Sequence, residues 1–319
     1  MILLTGATGF VGRHLVRRLA GAGEGVRCLV RPGSPYLTWL QSHGVEVIPG
    51  HLLDPDAVSS ACRGCRQVIH LAAPIHEGRD AVVERVHEQG MASLLEASRT
   101  ARVERFLMVS PLGTGSSAGL PFLRSRGRAE DQLRQSGIPF VILQSSLMFG
   151  PGDRLISSMI RMLQRTGVLL IPGTGKTMLQ PIWVGDVVSC LIRALADEEV
   201  LARTIPIGGQ QHLTYEEIAD QVGKMLNVPR VKLHVSRRAA AWMARILEGL
   251  GLNPFLGYRH LELLEVGTIT ALDAVKRTFG FQPMPLIEGV AYQVVPVREV
   301  GGSPSASRAE RGSGTRDHG

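Results

Sequence analysis

The chain has 319 residues, a formal net charge of +7, 44% hydrophobic and 20% charged residues. That length can bury one large core or two modest ones, and it excludes a short module held together by disulfides. The basic excess is almost all arginine (Lys176, Lys224, Lys232 and Lys276 are the only lysines) and it is scattered, which excludes a specific nucleic-acid tail but leaves a weak attraction to anionic membrane surfaces or acidic partners.

The chain opens on an apolar strand, Ile2 to Leu4, that runs into Thr5-Gly6-Ala7-Thr8-Gly9-Phe10-Val11-Gly12 and then a helix-like stretch, RHLVRRLAGAG. Strand, glycine-rich turn and helix follow in the order a pyrophosphate site needs. Gly6 permits the turn, Gly9 lets backbone approach phosphate, and Gly12 lets helix pack against strand. The free N–H groups and the helix dipole then favour an anion at the helix N-terminus.

Strand and helix signals go on alternating, which predicts a parallel sheet covered on both faces. Strands are expected at Val26–Val30, Val45–Ile48, Val68–Leu71, Arg105–Val109 and Phe140–Leu143. Helices are expected from about Asp56 to Cys62, Ala81 to Ala97 and Arg126 to Gln135. Ligands of such sheets lie beyond the carboxyl ends of the strands. Those ends are Gly6, Arg31 and Ala72, where a dinucleotide belongs, and Ser110 and Gln144, which border a substrate position.

The later segments read as a second lobe. Leu155 to Thr166 is an amphipathic helix, and Thr204 to Gly208 a short strand. Thr214-Tyr215-Glu216-Glu217 is a capping box opening a helix to Met225. Ala239–Leu250 and Tyr258–Val266 look helical. The expected fold class is α/β: a Rossmann-type doubly wound parallel sheet with a smaller, mostly helical C-terminal lobe. Residues 1–150 form the dinucleotide domain, with strand–helix returns around 178–212. Residues 151–177 and 213–298 form the lobe, and 299–319 a disordered tail poor in large apolar residues.

Four cysteines, Cys28, Cys62, Cys65 and Cys190, are too few for a disulfide framework in a chain of this length. Cys62-x-x-Cys65 lacks the second pair that a zinc site needs, so no metal is expected, and both thiols read as small buried residues where helix meets strand. Gly173-Thr174-Gly175-Lys176-Thr177 lacks the earlier glycine of a phosphate-binding loop, since position 170 is leucine, and reads as a turn. No signal peptide is evident and no apolar run approaches the ~20 residues of a membrane span. A cytoplasmic protein, peripheral at a membrane at most, is expected.

These segments resemble the extended and atypical short-chain dehydrogenase/reductases, including the NAD-dependent epimerase/dehydratase type. The likeness is carried by TGATGFVGRHL at 5–15, VIHLAA at 68–73, FLMVSPLG at 106–113, FGPGDRLI at 149–156, QPIWVGDVV at 180–188 and IGGQQHLTYEEIA at 207–219. Residues 83–113 and 122–131 look most like the atypical members grouped with the nucleotide-binding accessory subunit of respiratory complex I. Photosystem assembly factors and NmrA-type regulators are neighbouring relatives.

The resemblance implies a catalytic tyrosine, with a lysine four residues later. The matching positions hold Phe122 and Arg126. Phenylalanine has no proton to give; arginine keeps the charge as a planar fork that can reach ribose or phosphate. None of Tyr36, Tyr215, Tyr258 and Tyr292 has a lysine four residues on. The strand-end hydroxyl position is also degenerate, with Leu112 near it, although Ser110 can still donate to cofactor or a bound oxygen. His76, Glu77 and His87 are thinkable replacement acids.

Where an NAD-selecting carboxylate belongs, at the end of the second strand, the chain has Arg31. An arginine there can pair with a 2′-phosphate, Arg13 can assist, and NADP(H) is favoured over NAD(H). After the third strand, Gly50-His51-Leu52-Leu53-Asp54 offers Leu52 and Leu53 to the adenine. The expected cofactor residues are therefore Gly6, Thr8, Gly9, Phe10, Val11, Gly12, Arg31, Leu52, Leu53, Ala72, Ala73, Ser110 and Arg126. Two functions remain open. One is an NADP(H)-binding protein with structural, accessory or redox-sensing use of the nucleotide, whose C-terminal lobe meets a protein complex, a quinone-like molecule or a membrane surface, for instance through residues 237–252. The other is an NADP-dependent reductase, epimerase or dehydratase on a small carbonyl compound, with a non-standard acid.

Overall fold

A computed structural model describes residues 1–73, 80–115, 117–228, 231–236, 238–240, 242, 246, 264 and 266–294. The elements in chain order are β1 (Ile2–Thr5), α1 (Phe10–Gly21), β2 (Val26–Val30), α2 (Leu37–Ser42), β3 (Glu46–Pro49), α3 (Pro55–Cys62), β4 (Gln67–His70), α4 (Asp80–Thr100), β5 (Arg105–Pro111), α5 (Pro121–Arg134) and β6 (Phe140–Ser145). They continue as β7 (Met148–Phe149), α6 (Leu155–Thr166), β8 (Val168–Pro172), β9 (Met178–Leu179), β10 (Ile182–Trp183), α7 (Val184–Ala194), β11 (Arg203–Ile207), β12 (Leu213–Thr214), α8 (Tyr215–Leu226), β13 (Val231–Val235), α9 (Ala274–Phe279) and α10 (Leu286–Val294).

Seven parallel strands form the main sheet in the order β11-β6-β5-β4-β1-β2-β3. The fold is thus the α/β Rossmann-type architecture expected. Its strands are apolar almost throughout because both faces are covered. Ile2 and Leu4 join the core with α1 and α7, whereas Leu3 joins the core with α3 and α4. The strand order reverses between β1 and β4, which opens a crevice beyond their carboxyl ends.

A third core, built from α6, α8, α10 and β8, holds the C-terminal lobe. It carries more strand than expected: β8 pairs in parallel with β13, β9 antiparallel with β12, and β7 in parallel with β10. These pairings are tertiary, and two-residue strands have no periodicity to read. The capping box at Thr214 and Glu217 is formed. The helix after β5 starts at Pro121, five residues before the expected start. Proline at the first helical position is the signal for that start. The expected helices at 239–250 and 258–266 fall mostly, and the tail at 299–319 wholly, outside the described residues.

Cys62 and Cys65 lie in the α3–α4 core, and all four cysteines are free and buried. Gly173 and Gly175 form a positive-φ turn, 64° and 66°, between β8 and β9. Among the described residues no helix is long and apolar enough to cross a membrane.

Candidate dinucleotide site

Gly6 ends β1 with φ +80°, and a Cβ there would stand 2.6 Å from the Ala72 backbone nitrogen. A Cβ on Gly12 would stand 2.2 Å from the Gly6 carbonyl oxygen. Both positions therefore exclude any side chain: the first by conformation and contact, the second by contact alone. The turn closes with Gly9 N–H donating to the Gly6 carbonyl at 3.0 Å. Gly9 is the N-cap of α1; no side chain caps the helix and its first turn has no acid. Arg13 stands there instead, a cation at the positive end of a helix, a placement that an anion between them would turn to advantage.

The turn is the floor of a cleft of about 680 Å³, a size suited to a cofactor. Gly6, Thr8, Gly9, Phe10, Val11 and Gly12 line one end, with Arg13 and Tyr36. Arg13 donates to the Thr8 carbonyl at 2.8 Å and lies 4.9 Å from the centre of the Tyr36 ring. Gly152 leaves room for it: a Cβ there would stand 2.8 Å from Arg13 Nη2. Ala73 and Ser110 line the middle of the cleft.

The other expected residues are placed differently. Arg31 is exposed just past β2 and is not among the cleft-lining residues. Leu52 is buried in the α3–α4 core, where its Cβ would be 2.9 Å from a Cβ on Gly90; Leu53 is half-buried, and neither lines the cleft. Asp54 caps α3, accepting from Ala57 N–H at 3.2 Å. Gln144 turns from the substrate side to Glu130, donating to its Oε2 at 2.9 Å.

At the opposite end, Phe122 forms part of the wall, 6% exposed. Behind it, His87 packs edge-on at 5.3 Å and hydrogen-bonds Ser125 Oγ at 2.8 Å, so this candidate acid does not line the cleft. His76 and Glu77 lie outside the described residues. One turn after Phe122, Arg126 is wholly buried. Its guanidinium donates to the Val109 carbonyl at 2.5 Å and the Ala72 carbonyl at 3.4 Å, tying the end of β5 to the segment after β4. Its guanidinium is thereby part of the sheet's packing, and it does not line the cleft. Burial lowers its pKa to about 10, and the charge of Glu130 opposes that shift. His70, hydrogen-bonded to Thr5 Oγ1 at 2.8 Å, is pushed down to about 3 by burial and then by Arg126, and so is neutral.

The cleft is also lined by residues that sequence reasoning missed. Asp153 caps α6, accepting from Ile156 N–H at 2.7 Å, a position readable as an acid just before an amphipathic helix. Thr268 had no such signal. It reaches the cleft through a lone bridge to Leu179, with Thr270 N–H donating to buried Gln180 at 2.7 Å. Ser110 Oγ and Thr268 Oγ1 are buried with no hydrogen-bond partner among the described residues.

A doubly wound parallel sheet with an open glycine turn at its reversal point has the geometry of a dinucleotide site. Residues 6–152 match the NAD(P)H-binding family model. The alpha-subcomplex subunit 9 of the mitochondrial NADH dehydrogenase (ubiquinone) of Arabidopsis thaliana is 29% identical over 69% of this chain and 56% of its own length. A ceramide reductase of Caulobacter vibrioides is 33% identical over 53% of each. This chain thus spans little more than half of those two relatives. The photosystem II assembly factor Ycf39 of Guillardia theta is 28% identical over 91% of this chain and 92% of its own. The NADPH-dependent quinone oxidoreductase of Escherichia coli, complexed with NADPH, shares the fold with a TM-score of 0.71 at 19% identity, over 92% of this chain and 99% of that one. Residues 6–152, a little under half of the chain, are thus similar to an NAD(P)H-binding domain, and the rest of the chain is similar to these relatives at lower identity.

Proposed function

We propose that this protein binds NADP(H) and keeps it as a structural, accessory or redox-sensing ligand, without routine turnover. The observation that carries the reading is the contrast at α5. Phe122, which the resemblance matches to the family's proton donor, lines the cleft, and Arg126 donates to two backbone carbonyls. A general acid contributes roughly 10²–10⁴-fold in rate, so its loss removes most of the drive for chemistry while leaving binding intact. A ligand held only by the folded state stabilises it by ~4 kcal/mol at a thousandfold excess over Kd, so a retained nucleotide is useful without reaction.

The preference for the 2′-phosphate rests on Arg31 past β2 and on Arg13 in the cleft, with no acid in the first turn of α1. The C-terminal lobe, with residues 151–177 and 213–298, is the part that meets a protein complex, as the names of the complex I and photosystem relatives suggest for those proteins.

The test is direct. The purified protein is denatured and the released nucleotide identified by mass spectrometry; NADPH is then offered with a panel of carbonyl compounds. Bound NADPH that persists supports the reading, and absence of nucleotide affinity overturns it. The alternative, an NADP-dependent reductase, epimerase or dehydratase on a carbonyl compound, is favoured by one observation: Ser110, which lines the cleft, has a buried hydroxyl with no partner among the described residues. Turnover lost in Ser110→Ala would establish it.

A further inference from the structure

The C-terminal lobe has an outward face that its own core does not explain. Among the described residues, every exposed large apolar side chain except Met1 and Tyr36 lies at Met178 or later. Four of them stand on successive elements. Val231 and Leu233 project from β13, 54% and 48% exposed. Ser236 then caps a helical stretch, with Ala239 N–H donating to Ser236 Oγ at 3.2 Å and Ala240 N–H to the Ser236 carbonyl at 2.9 Å. In that stretch Trp242 is 69% exposed and Ile246 39%.

A surface helix normally turns its apolar stripe toward the core. Here the order is reversed. Arg238, Trp242 and Ile246, four residues apart, share one exposed helix face, whereas Ala240 on the opposite face is buried. On β13 the alternation is equally clear. Lys232 and His234 turn to α8 and bond Asp220 and Glu216 at 2.8 Å, while Val231 and Leu233 face away. The charge around these residues is one-sided. Cations are spread along the whole chain, but the interval between Asp220 and Glu248 has no acidic residue. It holds Lys224, Arg230, Lys232, Arg237, Arg238 and Arg245, in a chain whose net charge is +7.

We propose that the segment from Val231 to Ile246 docks on an anionic lipid bilayer. Trp242 and Ile246 enter the boundary between headgroups and hydrocarbon, and Arg238 with its neighbouring cations faces the lipid phosphates. Tryptophan suits that boundary, since its ring is apolar and its N–H finds a wet partner. A cluster of about four to eight Lys or Arg beside an amphipathic helix is drawn to anionic headgroups. A few projecting apolar side chains in a cationic field suit a fluid surface, which needs no shape complementarity; a stable protein interface needs a packed core of complementary shape. The inference rests on the docking role proposed above for the C-terminal lobe, and it needs no bound nucleotide.

The probes are vesicles of phosphatidylcholine alone and vesicles of phosphatidylcholine with an equal part of phosphatidylglycerol. Each is mixed with the full chain and separated by flotation. Binding to the anionic vesicles should be roughly tenfold stronger or more, and should weaken as salt is raised. Trp242→Ala should weaken it about tenfold, and Arg238→Ala about fivefold, the weight of one cation near the surface. Both side chains are exposed and neither residue lines the cleft, so both variants should melt as the natural protein does. Equal binding to the two kinds of vesicle, or anionic binding indifferent to either substitution, overturns the proposal. So does tighter capture by soluble polyglutamate than by anionic vesicles, which would assign the face to an acidic protein and leave the docking role of the lobe standing. A chain that retains NADPH but binds no vesicle overturns the inference and spares the nucleotide reading.

Discussion

The glycine turn and the start of α5, both of which line the cleft, differ in what they offer a ligand. At the β1 end every constraint of a phosphate site is present: Gly6 in the left-handed region, Gly12 against the Gly6 carbonyl, and an uncapped helix N-terminus. At the α5 end the scaffold is equally well formed, but its side chains serve packing and strapping. Phe122 fills a wall and Arg126 straps two strand ends. The proposed function treats binding and chemistry as separate modules on one sheet, the first resting on backbone geometry and the second on two side chains.

The largest expected effect breaks the first module. Gly12→Val puts a side chain where even a Cβ would be 2.2 Å from a carbonyl oxygen. NADPH retention, followed by equilibrium binding, should be abolished, with the turn displaced or the fold weakened by ~1–3 kcal/mol of overpacking. Unchanged affinity would mean that the turn is not the phosphate site.

Next in size is an attempt to rebuild the second module. Phe122→Tyr combined with Arg126→Lys restores the family's pair of residue types. NADPH oxidation in the presence of an aliphatic ketone should rise about 10²-fold, the low end of what a general acid supplies. Part of the gain is expected to be lost with the Arg126 strap. If the natural protein already turns over at the rate of the double variant, the contrast between the ends is false.

His70 lies between the two ends, bonded to Thr5 on one side and repelled by Arg126 on the other. Its folded pKa, about 3, lies below the unfolded value of about 6.5, so the unfolded state binds the extra proton. Its contribution to stability is complete above that unfolded value and falls away as the pH drops toward 3, by up to ~1.4 kcal/mol per pH unit. Denaturant melts at descending pH should show this slope, and His70→Gln should flatten it.

The smallest effect sharpens the cofactor assignment. Arg31→Asp should lower the preference for NADPH over NADH about tenfold, ~1.5 kcal/mol for one charge-assisted hydrogen bond. An unchanged ratio of the two dissociation constants would move the 2′-phosphate contact to Arg13, which lines the cleft beside the glycine turn.

What could be read from the sequence follows the same division. The glycine turn was legible because its three glycines sit between a clear strand and a clear helix, and local backbone needs appear locally. The apolar strands of the main sheet were legible because burial on both faces makes them continuous. The role of Arg126 was not. Only the folded sheet brings the carbonyls of Ala72 and Val109 to one guanidinium. Thr268 was invisible for a similar reason, since a single bridge to Leu179 places it. Leu52 looked available to adenine by its position after β3, yet packing against Gly90 takes it into the core.

The most direct test follows the nucleotide itself. Full-length protein is loaded with NADPH, the near-ultraviolet absorbance of the bound dihydronicotinamide is recorded with methyl heptyl ketone present, and the nucleotide is then released and identified by mass spectrometry. Stoichiometric NADPH should be recovered unoxidised from the natural protein, with oxidation only in the Phe122→Tyr, Arg126→Lys variant. Rapid oxidation by the natural protein, or a chain that holds no nucleotide, would contradict it.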